Sequence, residues 1–286
     1  MSRSTQIERA RAFRALHDRR RPLLLPNAWD AGSAAALASA GVPAIATTSG
    51  GVAWSLGYPD GERAPLSEVL AAVGRITRAV SVPVTVDLEA GYAADPAGVR
   101  TNVRLAIDAG AVGLNLEDGV RHLALRPIEE AAARIAAARE AAVEAGVPVF
   151  VNARVDTWAV PSGGDDAERL EETVRRARAY LDAGADGVFP IGARRPALLR
   201  ELCARVDAPV NVAALDGLPS LAELAELGVA RVSTATRLAT LAYGAARDAA
   251  ARLLAGEDFT ILTSRLAYAD LQRLFPVTDP DPSTGP

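Results

Sequence analysis

The chain has 286 residues, 50% of them hydrophobic, 23% charged and 5% aromatic, and carries a formal net charge of −4. Half the chain being apolar excludes disorder and supplies a sizeable core, while no apolar run approaches the ~20 residues needed to cross a membrane. One cysteine, Cys203, excludes an internal disulfide and a thiolate zinc site, and two histidines, His17 and His122, are too few for a histidine-rich metal site. All 31 basic side chains are arginine. The lack of lysine excludes a Schiff-base aldolase, a pyridoxal-phosphate enzyme and a Walker-type phosphate loop.

The N-terminus, Met1-Ser2-Arg3-Ser4-Thr5-Gln6, reads into a charged helix rather than a secretory segment. The arginine clusters at 19–21 and 194–195 are short and interleaved with acids, so they read as solvated surface. A cytoplasmic protein with neither a membrane nor a nucleic-acid partner is expected.

Next, one local pattern recurs. A helical stretch rich in Ala, Leu, Arg and Glu ends in a small-residue turn, and a short β-branched run follows. Ala40-Gly41 precedes Ala44–Thr48, Ala109-Gly110 precedes Val112–Leu116, and Ala145-Gly146 precedes Val149–Asn152. Ala183-Gly184 precedes Gly187–Phe189, and Leu227-Gly228 precedes Ala230–Ser233. Glycine just past the last helical turn is the expected left-handed stop, and about five apolar residues between such signals read as a strand buried on both faces. Adding Leu23–Pro26, Val82–Val86 and Pro209–Val212 gives eight strands, each followed by a helix. Strict alternation implies parallel strands and right-handed crossovers. An open doubly wound sheet would show a Gly-rich turn after its first strand, where this chain has Pro26-Asn27-Ala28-Trp29-Asp30. The pattern predicts an α/β fold, a single (β/α)8 barrel over residues 1–275. An Ala-rich helix near Leu238–Leu254 and an extra amphipathic helix from about Phe259 to Phe275 follow the last strand. The Pro/Asp-rich residues 276–286 read as a disordered tail.

In such a barrel the chemistry sits where the strands end. The second strand ends in Thr48-Ser49-Gly50-Gly51, the third in Asp87-Leu88-Glu89, the fourth in Asn115-Leu116-Glu117-Asp118 and the fifth in Asn152-Ala153-Arg154-Val155-Asp156. The seventh carries Asn211. The period of two points Asp87 and Glu89 to one side, and with Glu117 three carboxylates converge on one rim. An oxygen-rich site of this kind selects Mg2+ or Mn2+, with Asp87 bound directly and Glu89 and Glu117 through water. The alternative is that these acids only form ion pairs with arginines. Arg154 suits a substrate carboxylate or phosphonate, or else a rim salt bridge to Glu117 or Asp156. Ser49, Gly50 and Gly51 offer backbone N–H groups to an anion, or form an ordinary turn. Asp60, in a turn-rich loop, folds over the rim or belongs to an ordinary surface turn. Trp29 and Trp54 wall the pocket or pack in the core. Cys203 reads as a buried, inert helix residue.

These segments resemble the isocitrate lyase/phosphoenolpyruvate mutase superfamily over nearly the whole chain. The resemblance rests on Leu25-Pro26-Asn27-Ala28-Trp29-Asp30, Ser49-Gly50-Gly51-Val52, Ser55-Leu56-Gly57-Tyr58-Pro59-Asp60, Asp87-Leu88-Glu89-Ala90-Gly91-Tyr92, Leu116-Glu117-Asp118 and Asn152-Ala153-Arg154-Val155-Asp156. It implies a barrel whose final helix is swapped between subunits of a dimer or tetramer, with homotetramers included. It also implies Mg2+ at Asp87 supported by Glu89 and Glu117, and a 2-oxo or 2-hydroxy carboxylate cradled by Ser49, Gly50 and Gly51. Arg154 then clamps an anionic group and Asp60 sits by the reacting centre; Asn211 is expected on the substrate side from its strand position alone. The family's lyase and mutase branches carry a gating-loop lysine after the fourth strand, and the lyases a cysteine there. This chain has neither, and only residues 119–126 separate Glu117-Asp118 from the next helix.

The expected activity is therefore a Mg2+-dependent lyase or hydrolase that cleaves a C–C bond of a small 2-oxo or 2-hydroxy carboxylate through an enolate-like intermediate. Proton transfer falls to Asp60, a metal-bound water or His122. The alternatives are P–C chemistry on a phosphonopyruvate-type substrate and a catalytically silent ligand-binding barrel.

Overall fold

A computed structural model describes residues 1–121, 123–161, 164–264 and 266–275. His122 and the expected tail 276–286 lie outside the described residues. The eight strands are β1 (Leu23–Leu25, resuming at Asn27–Ala28 after Pro26), β2 (Ile45–Thr47), β3 (Val84–Asp87), β4 (Gly113–Glu117), β5 (Phe150–Val155), β6 (Gly187–Pro190), β7 (Asn211–Ala213) and β8 (Arg231–Ser233). Parallel pairing runs β1-β2-β3-β4-β5-β6 and β7-β8-β1, and a parallel bridge from Val188 to Val210 joins the two sets. The sheet thus closes on itself as an eight-stranded barrel. Pro26, which lacks an N–H, interrupts β1.

The helices that follow the strands are α2 (Ala31–Ser39), α3 (Ser49–Leu56) with α4 (Leu66–Ala79), α5 (Pro96–Asp108), α6 (Ile128–Ala145), α7 (Asp166–Asp182), α8 (Pro196–Arg205), α9 (Leu221–Glu226) and α10 (Arg237–Leu254). Local chemistry sets their ends. Asp30 and Ser33 form a capping box on α2, Asp165 and Glu168 another on α7, and Asp95 with Pro96 opens α5. The five glycines read as helix stops all take positive φ, from +66° at Gly146 to +104° at Gly110. Helices outside and packed side chains inside bury the strands on both faces, which is why they read as unbroken apolar runs. An N-terminal helix, α1 (Arg3–Ala15), lies under the barrel, with Phe13 fully buried edge-on to Phe150 at 5.8 Å. Among the described residues no helix is long and apolar enough to cross a membrane.

One element differs from expectation. The amphipathic helix expected from Phe259 to Phe275 is two short pieces, a 3-10 turn at Phe259–Leu262 and α11 at Tyr268–Arg273. Asp258 caps the first by accepting from the Thr260 N–H at 2.8 Å, and Asp270 accepts from the Ala267 N–H at 2.9 Å at the start of the second. Each cap starts a new helical segment, so apolar residues three to five apart came from two elements rather than one.

Candidate active site

The C-terminal ends of β2 to β5 assemble one acidic rim. Asp87 closes β3, its N–H donating to Thr47 Oγ1 at 2.9 Å and its Oδ2 accepting from the Ser49 N–H at 3.2 Å. Its Oδ1 is buried with no hydrogen-bond partner among the described residues. Ser49, Gly50 and Gly51 form the first turn of α3, so their N–H groups have no partner within the helix, and that of Ser49 meets this carboxylate. The glycines are there for space. A Cβ on Gly51 would stand 2.6 Å from Thr48 Cγ2 and 2.8 Å from Trp29 Cβ, and one on Gly50 would meet Thr236, Asp60 Oδ2 and Trp54 at 3.0 to 3.3 Å. Asp60 therefore rests against the glycine turn, with its Oδ1 buried and unpartnered among the described residues.

Glu89 does not follow the period-two argument. β3 ends at Asp87, and Glu89 turns into the left-handed region at φ +49°, as do Tyr92 at +53° and Glu62 at +56°. These strained residues hold one another: the Glu62 N–H donates to Glu89 Oε2 at 2.7 Å, Tyr92 Oη to Glu89 Oε1 at 2.5 Å, and the Tyr92 N–H to Glu62 Oε1 at 2.6 Å. Burial, opposed by the Tyr92 hydrogen bond and aided by Asp87 and Asp60, pushes the Glu89 carboxyl up to about 7.

Arg154, on β5, takes the rim salt bridges. Its Nη1 lies 2.6 Å from Glu117 Oε2, while Nε and Nη2 donate to the two oxygens of Asp156 at 2.7 and 3.0 Å. All three side chains are buried. Burial opposes the guanidinium charge, but Glu117 and Asp156 overcome it and hold Arg154 above its ordinary value. Burial drives Glu117 well above the carboxylate range against the pull of Arg154. Arg154 thus pairs with two carboxylates and orients them, the rim salt bridges that were the alternative to a substrate clamp. A deeper layer supports this pair. Asp118 accepts from the Asp156 N–H at 2.8 Å, from Tyr180 Oη at 2.7 Å and from Arg176 Nη1 at 3.0 Å.

The three carboxylates stand on one rim: Glu89 and Glu117 line one cleft, and each feels the charge of Asp87. Glu89 is taken up by Glu62 and Tyr92 and Glu117 by Arg154, and among the described residues no three His, Cys, Asp or Glu side chains stand together as a metal cluster. Among the described residues Asp87 Oδ1 is a hard oxygen, buried and without a hydrogen-bond partner, as is Asp60 Oδ1 beside the glycine turn. That fits a Mg2+-type ion, which takes one or two carboxylates and completes its shell with water and substrate. Asn211 lies deeper in the barrel, where it exchanges hydrogen bonds with Ser233 at 3.3 Å. Trp29 meets Tyr243 of α10 at 6.1 Å, and Trp54 is partly exposed. Cys203 is buried in α8, and burial pushes its thiol up to about 11.

A cleft of about 260 Å3 opens beside the rim, lined by Gly61, Glu62, Glu89 and Glu117 on one side and by Gly119, Val120, Arg121 and Arg126 on the other. The last four belong to the short segment after β4, where Gly119–Val120 pairs antiparallel with Ala124–Leu125. Glu62, Tyr92 and Arg126 were not singled out in the sequence. No spacing marks them, because they reach the site from loops rather than from strand ends.

Comparison with known proteins agrees with this architecture. The model of the family described as phosphoenolpyruvate phosphomutase matches residues 13–254. The chain is 34% identical over 238 residues to 2-methylisocitrate lyase of Escherichia coli, covering 80% of this chain and 74% of that protein. It is 47% identical to the crystal structure of a candidate phosphonomutase from Burkholderia cenocepacia J2315, at a TM-score of 0.80 over 86% of this chain and 99% of that one. It is also similar to 2,3-dimethylmalate lyase, at 26% identity and a TM-score of 0.79 over 94% of each chain. A rim of this layout on a closed barrel, matched by that family along most of its length, makes the chain a member of the phosphoenolpyruvate mutase/isocitrate lyase superfamily, an enzyme of the lyase and mutase type.

Proposed function

We propose that the protein is a divalent-metal-assisted carbon–carbon lyase or hydrolase acting on a small 2-oxo or 2-hydroxy carboxylate. The observation that carries this reading is Asp87: a carboxylate fixed on one oxygen by the Ser49 N–H and left free on the other, at the mouth of a barrel. A Mg2+ or Mn2+ ion held there would supply Lewis-acid stabilisation of charge on the substrate's 2-oxygen. Glu89 and Glu117 would support it through water, each already oriented by its own partners. The N–H groups of Gly50 and Gly51, which have no partner within α3, receive the substrate carboxylate. Asp60, pressed against Gly50, would take the proton from a 2-hydroxyl or return one to the carbon released as the C–C bond breaks. Relatives that act on methylisocitrate and dimethylmalate support the same bond type.

The test is turnover of oxaloacetate and alkylmalates with Mg2+, read by the appearance of the 2-oxo acid or oxalate product. Loss of all turnover on adding EDTA is the expected companion result. The likeness to a candidate phosphonomutase favours one second reading, P–C chemistry on a phosphonopyruvate-type acid. Release of inorganic phosphate from phosphonopyruvate, with no C–C cleavage, would replace the first reading by the second. Ligand-induced thermal stabilisation without product from any of these acids would make the barrel a binding module.

A further inference from the structure

Below the acidic rim, the barrel interior contains a guanidinium that no acid among the described residues pairs with. Arg231 opens β8 and is 1% exposed. The other deeply buried arginines are paired: Arg154 with Glu117 and Asp156, Arg176 with Asp118, Arg134 with Glu130. Arg231 has no ion-pair partner among the described residues. Among the described residues its Nη2 reaches only Asn115 Oδ1, at 3.4 Å, and its Nε and Nη1 are buried without a hydrogen-bond partner; its guanidinium lies over the Phe13 ring at 5.9 Å. An unpaired charge in a dry interior is among the costliest groups a fold can carry.

Its position suggests what offsets that cost. Asn115, which also accepts from Asn152 Nδ2 at 2.9 Å, is the register partner of Asp87 on the next strand. Arg231 therefore reaches across from β8 to the residue paired with Asp87. Burial pulls its charge down to about 9, and the one group that works in its favour is Asp87. On the other side is His17, stacked on Phe150 at 4.0 Å and pushed down to about 3 by burial and then by Arg231, so it adds no second charge. The interior thus presents an upward-acting positive charge under the site, in surroundings that screen it little.

We propose that Arg231 is the built-in counter-charge of the active site: a positioning residue that weakens cation binding at Asp87 and strengthens binding of the anionic substrate, so that metal and substrate are taken up together rather than metal alone. This inference rests on the reading of Asp87 as the metal's carboxylate. It is tested on the full chain by titrating Mn2+ by calorimetry, with and without oxalate as a chelating dianion, in the wild type, Arg231→Met and Arg231→Gln. Removing the charge should tighten Mn2+ binding without oxalate by at least about threefold and weaken oxalate binding to the Mn2+-loaded protein by about tenfold. A merely structural arginine would change the melting temperature and leave both constants alone, and that result overturns the proposal, as would a shift of both constants in the same direction. If Arg231→Met does not fold, Arg231→Gln decides. If neither folds, Arg231 belongs to the fold and the proposal fails. Absence of Mn2+ binding in the wild type, or its persistence in Asp87→Ala, would overturn the metal reading and this inference with it. Binding that Asp87→Ala abolishes and both Arg231 variants leave unchanged overturns this inference alone.

Discussion

Asp87 and Glu89 stand two residues apart and have different roles, which their surroundings decide. Asp87 keeps one oxygen free, so Asp87→Ala should abolish metal-dependent turnover and Mg2+ binding while circular dichroism stays that of the wild type. A folded Asp87→Ala protein that still binds Mg2+ would reject the assignment. Glu89 has both oxygens occupied and is 3% exposed. Its carboxyl is raised from 4.5 to about 7, so the native state holds its proton more tightly than the unfolded chain does. In metal-free protein the resulting stabilisation is fully present below about 4.5 and is lost as pH rises through about 7. The total is roughly 3 kcal/mol. Glu89→Gln should flatten the melting temperature across that window in EDTA, and parallel wild-type and variant curves would count against the shift. Asp87, Glu117 and Arg154 were legible in the sequence because strand ends face the barrel mouth. The direction of Glu89 was not, because a left-handed turn after Asp87 breaks the alternation from which it was inferred.

At the scale of elements, β4 and β5 with α7 form a buried ionic layer that holds the rim rigid. Asp118 is 1% exposed, and Arg176 reaches it from α7. Arg176→Met would leave that carboxylate without its cation, at about 3–5 kcal/mol for a broken buried pair. Chemical denaturation should show the loss, and an unchanged midpoint would mean that Tyr180 and the Asp156 N–H suffice. The short segment 119–126 carries no cysteine, and Cys203 lies buried in α8. Cys203→Ser should therefore keep kcat within a few-fold, roughly under 1 kcal/mol in barrier, and thiol alkylation should leave turnover intact. A large loss in a folded Cys203→Ser protein would move the chemistry elsewhere. All eight strands were legible because helix stops and doubly buried apolar runs are local signals. The last helix was misread because spacing alone cannot show that Asp258 and Asp270 each start a new piece. The ionic layer was invisible for another reason: Asp118, Arg176 and Tyr180 meet only through the fold.

At the scale of the whole molecule, the C-terminal elements are apolar on a side that no described residue covers. α10 buries only Ala239, while Leu241, Leu254, Phe259 and Tyr268 are 68 to 90% exposed. Each large apolar side chain left in water forgoes about 1.5–3 kcal/mol of burial, so a second copy of this chain is the economical cover. We expect a homo-oligomer in which α10 and the segment to Phe275 pack on a neighbour. Light scattering that shows a monomer at micromolar concentration, with these residues intact, would overturn it. The same helix touches the site. Thr236 just before α10, and Ala239 within it, stand 3.0 and 3.4 Å from where Cβ atoms on Gly50 and Gly51 would lie, and Tyr243 meets Trp29. A neighbour that held α10 would therefore also press the glycine turn whose Ser49 N–H meets Asp87. The double variant Leu241→Glu, Phe259→Glu should dissociate the assembly and raise KM at least several-fold, with the barrel's circular dichroism unchanged. A dissociated variant with wild-type KM would show that the turn holds its shape without a neighbour, and assembly would then serve solubility alone.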